Sequence, residues 1–173
     1  RLRDAKTAFL SGGDGGRQAA LPRFADAVLE EFLDLPRGWW QKHTAVEERF
    51  TLVSNRRGGS RLRPDRVLFA GGDPNSPRLL VVFDPGSRRL GIGRSRQVYA
   101  DLVELLRGTG VSVGLMTNGE QFRLVYAGLD FDCSVEWEVA RWFEDALGRE
   151  QLAGFVALCG QSMMLPDGDE AFP

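Results

Sequence analysis

Two aspartates in the middle of the chain stand where one predicted strand begins and the next one ends. Asp65 comes directly before the short segment 66–70, and Asp84 follows the continuous apolar run 79–83. A carboxylate on one strand and a second at the end of the next can meet at one edge of a sheet. Two such oxygen ligands are enough for Mg²⁺, which keeps several of its waters. Because bound Mg²⁺ acidifies a coordinated water and neutralises a phosphate, the pattern predicts phosphodiester chemistry, with Gln97 as a further catalytic candidate.

The charge along the chain is strongly uneven, although the net charge is only −2. Residues 56–96 carry ten arginines against three aspartates, a net charge of +7, whereas residues 129–173 have a net charge of −8. A cationic segment of this density is a candidate surface for nucleic-acid phosphates. The candidate DNA contacts are Arg61, Arg63, Arg88, Arg89, Arg94 and Arg96. An ordinary solvated surface is the alternative for the arginines, and a role in turns is the alternative for the two aspartates.

The elements that would position these residues alternate between strands and helices. The apolar run 79–83 is typical of a buried central strand. A helix over 95–107 leads to a strand at 111–117, and a crossover of this kind makes the two strands parallel. Asn118-Gly119 predicts a tight turn into an antiparallel strand at 121–126. The sequence therefore predicts an α/β domain with a mixed sheet flanked by helices.

Helices are also predicted outside the sheet. Apolar residues at helical spacing predict a helix over 21–35, after a glycine-rich loop at 11–16. Tryptophans and other apolar residues predict a further helix from Ser134 onwards. We accordingly divide the chain into an N-terminal helical segment at 1–44, an α/β core with C-terminal helices at 45–160, and a disordered tail at 161–173.

Composition excludes several classes of protein. The sequence has no run of 18 apolar residues, so no membrane span is expected, and no secretory signal segment opens it. Only two cysteines occur, Cys133 and Cys159, and they lack the spacing of zinc ligands. The single histidine, His43, excludes any mechanism that needs two. These features indicate a reduced, cytoplasmic protein.

Several of these segments, taken in order, resemble the PD-(D/E)XK nuclease-like domain. More narrowly, they are similar to the amino-terminal part of large restriction-modification and phage-defence proteins that fuse such a module to an adenine methyltransferase, as in Type I and Type IIG-like systems. The resemblance covers roughly residues 45–160. Its segments are Pro64-Asp65, Leu79–Asp84, Gln97-Val98-Tyr99, Val113–Gly119, Phe122–Tyr126 and Asp130–Cys159.

The resemblance implies a restriction-endonuclease-like fold and an Mg²⁺-dependent cut in DNA. Asp65 and Asp84 match the family's two metal ligands, and DNA and the other domains of a larger protein would be the partners. The family's lysine, two positions after the second acid, has no counterpart, because Pro85 and Gly86 follow Asp84 and no lysine occurs after Lys42. Arginine cannot replace it as a base, since its guanidinium stays protonated.

Three functions remain open at this stage. The first is an Mg²⁺-dependent DNA endonuclease module. The second is a catalytically degenerate relative that binds DNA, or docks onto neighbouring domains, without cutting. The third is a structural interaction domain whose uneven charge serves only to dock a partner.

Overall fold

The computed structural model describes residues 1–56 and 58–165 of the chain. Two helices open it, α1 (Leu2–Leu10) and α2 (Asp14–Asp26), and α2 continues as a π-helical turn over Ala27–Phe32. The glycine-rich segment is therefore a loop only in its first part, because α2 begins at Asp14 and leads without a break into the helix predicted over 21–35. None of the helices within the described residues is long and apolar enough to cross a bilayer.

Six strands form the main sheet. They are β1 (Trp40–Lys42), β4 (Arg66–Phe69), β5 (Pro77–Phe83), β6 (Val113–Thr117), β7 (Gln121–Ala127) and β8 (Asp132–Glu138), in the spatial order β1-β4-β5-β6-β7-β8. Two short strands, β2 (Leu52–Val53) and β3 (Arg61–Leu62), make a separate hairpin. The edge strand β1 belongs to the segment 1–44, so that segment contributes to the sheet as well as to the helices.

The centre of the sheet follows the sequence prediction. β5 pairs with β6 in parallel, and Phe83 lies beside Thr117 at the carboxyl end of the pair. Helix α3 (Ser95–Thr109) makes the crossover between them. β6 and β7 pair antiparallel through the turn that contains Asn118 and Gly119. The chain thus has a mixed α/β sheet with helices packed on it.

The predicted helix from Ser134 is wrong, because residues 132–138 form β8. Cys133, Val135 and Trp137 alternate there with four polar residues, and this period of two is that of a strand. Helical structure begins afterwards, with a 3₁₀ segment over Val139–Phe143 and helix α4 (Ala146–Cys159). A last short helix, α5 (Gln161–Met164), lies in the predicted tail and buries Met164. Residues 166–173 of that tail lie outside the described residues.

Two hydrophobic clusters lie on the two faces of the sheet. On one face, α1, α2 and α4 cover an aromatic centre in which Phe122 lies 5.8 Å from Trp142 and 5.3 Å from Phe155, measured between ring centroids. Phe24 of α2 contacts the same ring at 6.4 Å. On the other face, α3 packs with the leucines and valines of the sheet. Both ends of the described chain therefore share one core with the strands that carry the candidate site.

Candidate functional site

Asp65 is fixed by backbone hydrogen bonds at the point where the chain enters β4. Its amide donates to the Val81 carbonyl at 2.8 Å, and its carboxylate Oδ2 accepts a hydrogen bond from the Phe83 amide at 2.7 Å. Burial raises the pKa of the Asp65 carboxyl above its ordinary value. The Phe83 hydrogen bond and the charges of Arg66 and His43 lower that pKa only in part. The Asp65 carboxyl is therefore harder to ionise than that of an exposed aspartate.

Asp84 follows β5 directly and is only 4% exposed. Its amide donates to the Thr117 carbonyl at 2.9 Å, and its Oδ1 accepts the Ser87 hydroxyl hydrogen bond at 2.8 Å. Its Oδ2 is buried and has no hydrogen-bond partner within residues 1–56 and 58–165. Since Asp65 binds the amide of Phe83, the residue before Asp84, the structure brings the two predicted site aspartates to the same end of β5.

The aspartate pair fits a hydrated Mg²⁺ poorly. Each carboxylate already accepts one hydrogen bond, and that of Asp84 is closed to solvent. Mg²⁺ gives up its waters reluctantly and needs open space around its ligands. As they stand, the two carboxylates do not offer a hydrated Mg²⁺ the open ligand positions that it needs.

Gln97 forms its hydrogen bond within its own helix rather than with Asp65 or Asp84. It is exposed near the start of α3, and its amide donates to the Asp101 carboxylate one turn further on, at 2.8 Å. The buried glutamine at this end of the sheet is Gln121, which is 4% exposed. Its Oε1 accepts the Leu90 amide hydrogen bond at 2.8 Å, and its Nε2 donates to Glu136 at 2.8 Å. Gln121 thus ties the segment after β5 to the sheet, a role that its place in an alternating strand did not reveal.

The six candidate arginines fall into three groups. Arg61 pairs with Glu48, and Arg63 donates to the carbonyls of Thr44 and Val46, so both are engaged within the protein. Arg89 lies 3.9 Å from Glu138, a loose pair on the surface. The other three are exposed and form no ion pair with any described residue. They are Arg88, Arg94 and Arg96.

These three residues lie in or beside residues 85–94, which connect Asp84 to α3 and which we call the arginine loop. Leu90 in its middle is 1% exposed, and its carbonyl accepts a hydrogen bond from the Arg123 guanidinium at 3.1 Å. The Gly91 amide donates to the Ser95 hydroxyl at 2.9 Å. Gly91 and Gly93 both have positive φ, at 70° and 56°. The arginine loop therefore has a defined conformation, because buried contacts hold its centre. Its arginine side chains are exposed to solvent.

The start of α3 carries positive charge where helices favour negative charge. Arg94 is the N-cap, Arg96 lies in the first turn, and that turn contains no acidic residue. The helix dipole places a partial positive charge at this end, so the two guanidinium groups are repelled there. The amides of Ser95, Arg96 and Gln97 donate to carbonyls three residues before them. An anion at this point would therefore contact the arginine side chains rather than free helix amides.

A cluster of ion pairs that the sequence did not predict lies next to Asp65. Arg66 is fully buried, and its Nε lies 3.2 Å from an Asp26 carboxylate oxygen. Its Nη1 donates to the Asp65 carbonyl at 3.0 Å, and its guanidinium lies 5.0 Å from the centre of the Phe83 ring. Lys42 also pairs with Asp26, at 3.3 Å. These pairs join α2, β1 and β4, and no local sequence pattern connects residues so far apart.

The geometry at this end of the sheet thus consists of two constrained aspartates, a buried ionic cluster and an open group of arginines. Searches of protein-family models, of curated proteins and of solved structures find no match to this chain.

Proposed function

We propose that this chain is a DNA-binding domain of a restriction-modification or phage-defence protein, with a restriction-endonuclease-like fold and a degenerate nuclease site. The observation that carries the proposal is the arginine loop. Arg88, Arg94 and Arg96 extend into solvent without acidic partners among the described residues, next to the two aspartates. Arginine is suited to phosphate because its planar guanidinium can donate two hydrogen bonds to one phosphate.

The charge at the start of α3 supports binding of an anion. Arg94 and Arg96 are repelled by the helix dipole, and no carboxylate of the first turn relieves this. A bound phosphate would sit near both guanidinium groups and near the positive end of the helix. Contacts to phosphate carry no sequence information, so they would position the domain on the duplex without specifying a site.

Binding without cleavage is favoured by the state of the aspartates. Asp84 is closed to solvent and hydrogen-bonded to Ser87, and burial raises the pKa of Asp65. The position of the family's lysine is Gly86, which has no side chain to orient a water. An Mg²⁺-dependent endonuclease is the alternative function, because both aspartates lie at the same end of β5. In addition, Asp84 Oδ2 has no hydrogen-bond partner among the described residues.

The test of DNA binding is a salt titration of affinity for a duplex, measured by fluorescence anisotropy. Each phosphate contact adds about 0.9 to the slope of log affinity against log salt concentration. The triple variant Arg88→Ala, Arg94→Ala, Arg96→Ala should lower that slope by about 2.7. Over a fourfold rise in salt, the parent would therefore lose roughly 40-fold more affinity than the variant does.

The matched control removes the same charge elsewhere. Arg23, Arg56 and Arg149 are also exposed, and their triple alanine variant has the same net charge as the first. It should keep the slope of the parent. If both triple variants lower the slope equally, binding depends on overall charge and the assigned surface is wrong. If the parent shows no salt-dependent binding, the proposed DNA-binding function is wrong, and the structural interaction domain is the alternative left to test.

A plasmid-nicking assay separates binding from cleavage. The parent should leave supercoiled DNA intact with Mg²⁺ or Mn²⁺, while it retards the same DNA in a gel. Nicking that needs the metal ion and disappears in Asp65→Asn would overturn the degenerate site and establish the endonuclease. Nicking that persists in Asp65→Asn would instead indicate a contaminating nuclease.

A further inference from the structure

Ile92 is an exposed apolar side chain in the middle of a cationic segment. It is 55% exposed. The segment 85–96 around it contains four arginines and no acidic residue, a net charge of +4. Other exposed apolar residues, such as Leu129 and Phe131, lie in the acidic segment 129–173 instead. Ile92 is therefore the exposed apolar residue that accompanies the candidate DNA contacts.

Hydrogen bonds fix the backbone on both sides of Ile92. Its carbonyl accepts a hydrogen bond from the amide of the buried Ser95 at 3.1 Å, and the Gly91 amide donates to the Ser95 hydroxyl at 2.9 Å. Before them, the amide of the buried Leu90 donates to Gln121 at 2.8 Å. The side chain of isoleucine is branched at Cβ and has few rotamers. Ile92 therefore has little conformational freedom to lose when a partner binds it.

The arginine loop leaves room for a partner beside Ile92. Gly93 has a φ of 56°, and a Cβ at that position would meet nothing within 4 Å. A glycine in such a place allows another molecule to approach the backbone closely. A partner can therefore reach the Ile92 side chain without displacing any other side chain at position 93.

A partner that covers Ile92 must offer both negative charge and an apolar surface. Arg88, Arg94 and Arg96 all lie within four positions of Ile92, and four residues of chain span at most about 14 Å. A DNA duplex meets both requirements, because its phosphates are outside and the faces of its bases are apolar. The minor groove is only about 6 Å wide, so phosphates of both strands lie close to the bases at its floor.

We infer that Ile92 inserts between two neighbouring base pairs of a bound duplex from the minor-groove side, while Arg88, Arg94 and Arg96 contact the phosphates around that step. The inference rests on the proposed DNA-binding function and adds the kind of duplex that is preferred. Isoleucine is one of the apolar residues that open base steps, and such insertion kinks a duplex by about 20–90°. Because unstacking costs free energy, the arginine loop favours duplexes that deform easily and reads no base sequence directly.

The first test compares two short duplexes that differ in one central base pair. One duplex is fully paired and the other has a central mismatch, so both carry the same number of phosphates. In fluorescence anisotropy at one salt concentration, the parent should bind the mismatched duplex roughly 10-fold more tightly, because its central step is already weakly stacked. In Ile92→Ala the ratio of the two affinities should fall to about 1. Ile92→Leu, which keeps a large apolar side chain, should retain the preference.

The matched control removes an equally exposed apolar side chain elsewhere. Leu147 of α4 is 53% exposed, close to the 55% of Ile92, and Leu147→Ala should keep the affinity ratio of the parent. Ile92→Ala should keep the slope of log affinity against log salt concentration, because it removes no charge. Its urea midpoint should also match that of the parent, since the side chain is exposed. A lost preference then reports on insertion and not on folding or charge.

The second test detects the opened base step directly. Aminopurine, a fluorescent adenine analogue whose emission increases when it is unstacked, is placed beside the mismatch. At saturation the parent should increase this emission and Ile92→Ala should not. Ile92→Leu should restore the increase, because leucine also acts as a wedge between bases.

Three results would overturn the inference, and they can be told apart. Ile92→Ala could keep the preference for the mismatched duplex while binding stays salt-dependent. Ile92 would then not enter the duplex, although the DNA-binding function would stand. A parent without salt-dependent binding would refute both. Cosedimentation with vesicles of equimolar phosphatidylcholine and phosphatidylserine that requires Ile92, with an unchanged affinity ratio, would assign this residue to an anionic lipid surface instead.

Discussion

Two glycines of the arginine loop differ in what a side chain would meet there, and this difference gives a sharp test of how the loop is held. Gly91 and Gly93 both have positive φ, so alanine at either position costs about 1–2 kcal/mol through the left-handed backbone alone. A Cβ at Gly93 would meet nothing within 4 Å. A Cβ at Gly91 would lie 2.7 Å from Nη2 and 2.8 Å from Cζ of Arg123. Gly91→Ala must therefore also displace the Arg123 guanidinium.

The magnitude follows from what Arg123 would lose. Its Nε donates to the Glu136 carboxylate at 2.9 Å, and its Nη2 donates to the Leu90 carbonyl at 3.1 Å. Hydrogen bonds to charged groups contribute about 1.5–3 kcal/mol. If displacement of the guanidinium breaks one of these two bonds, Gly91→Ala should lower the free energy of unfolding by about 2.5–5 kcal/mol, compared with about 1–2 kcal/mol for Gly93→Ala.

Urea denaturation followed by tryptophan fluorescence measures both losses. The double variant Gly91→Ala, Arg123→Met completes a double-mutant cycle, because alanine at position 91 then has no guanidinium to displace. In that background its cost should fall to the level of Gly93→Ala. Gly91→Ala and Gly93→Ala could lower the free energy of unfolding equally, or Gly91→Ala could cost as much in the Arg123→Met background as in the parent. Either result would refute the idea that the contact with Arg123 stabilises the arginine loop.

Two further predictions concern Asp65 and the aromatic core. Because burial raises the pKa of Asp65 in the folded chain, the folded state binds more protons than the unfolded one between the ordinary pKa and the raised one. Parent stability should therefore fall as pH rises through that window. Asp65→Asn keeps an acceptor for the Phe83 amide and cannot ionise, so urea midpoints should show its stability relative to the parent increasing with pH, and a constant difference would contradict this. Phe122→Ala, at the contact with Trp142 and Phe155, should cost about 3–5 kcal/mol and lower the single Tm by roughly 6–20 °C, whereas two separate calorimetric transitions would show that the helices and the sheet are independent units.

Local sequence signals were sufficient for the centre of the sheet. The apolar run 79–83 and the Asn118-Gly119 turn each act over a few residues, and the structure has a buried strand and a hairpin there. The position of Asp84 after its strand followed from the same run. Its exposure of 4% did not, because the contacts of Asp84 with Ser87 and with Thr117 of the neighbouring strand form only in the folded chain.

The features that sequence reasoning missed depend on distant residues. Nothing local links Arg66 to Asp26, which lie 40 positions apart and meet only once α2 packs beside β4. The predicted helix from Ser134 is wrong for a different reason, because Trp137 fits both the alternation of β8 and the apolar residues that follow it. The alternation of Cys133, Val135 and Trp137 is itself a strand pattern. That period identifies residues 132–138 as a strand, and it is the last strand of the sheet.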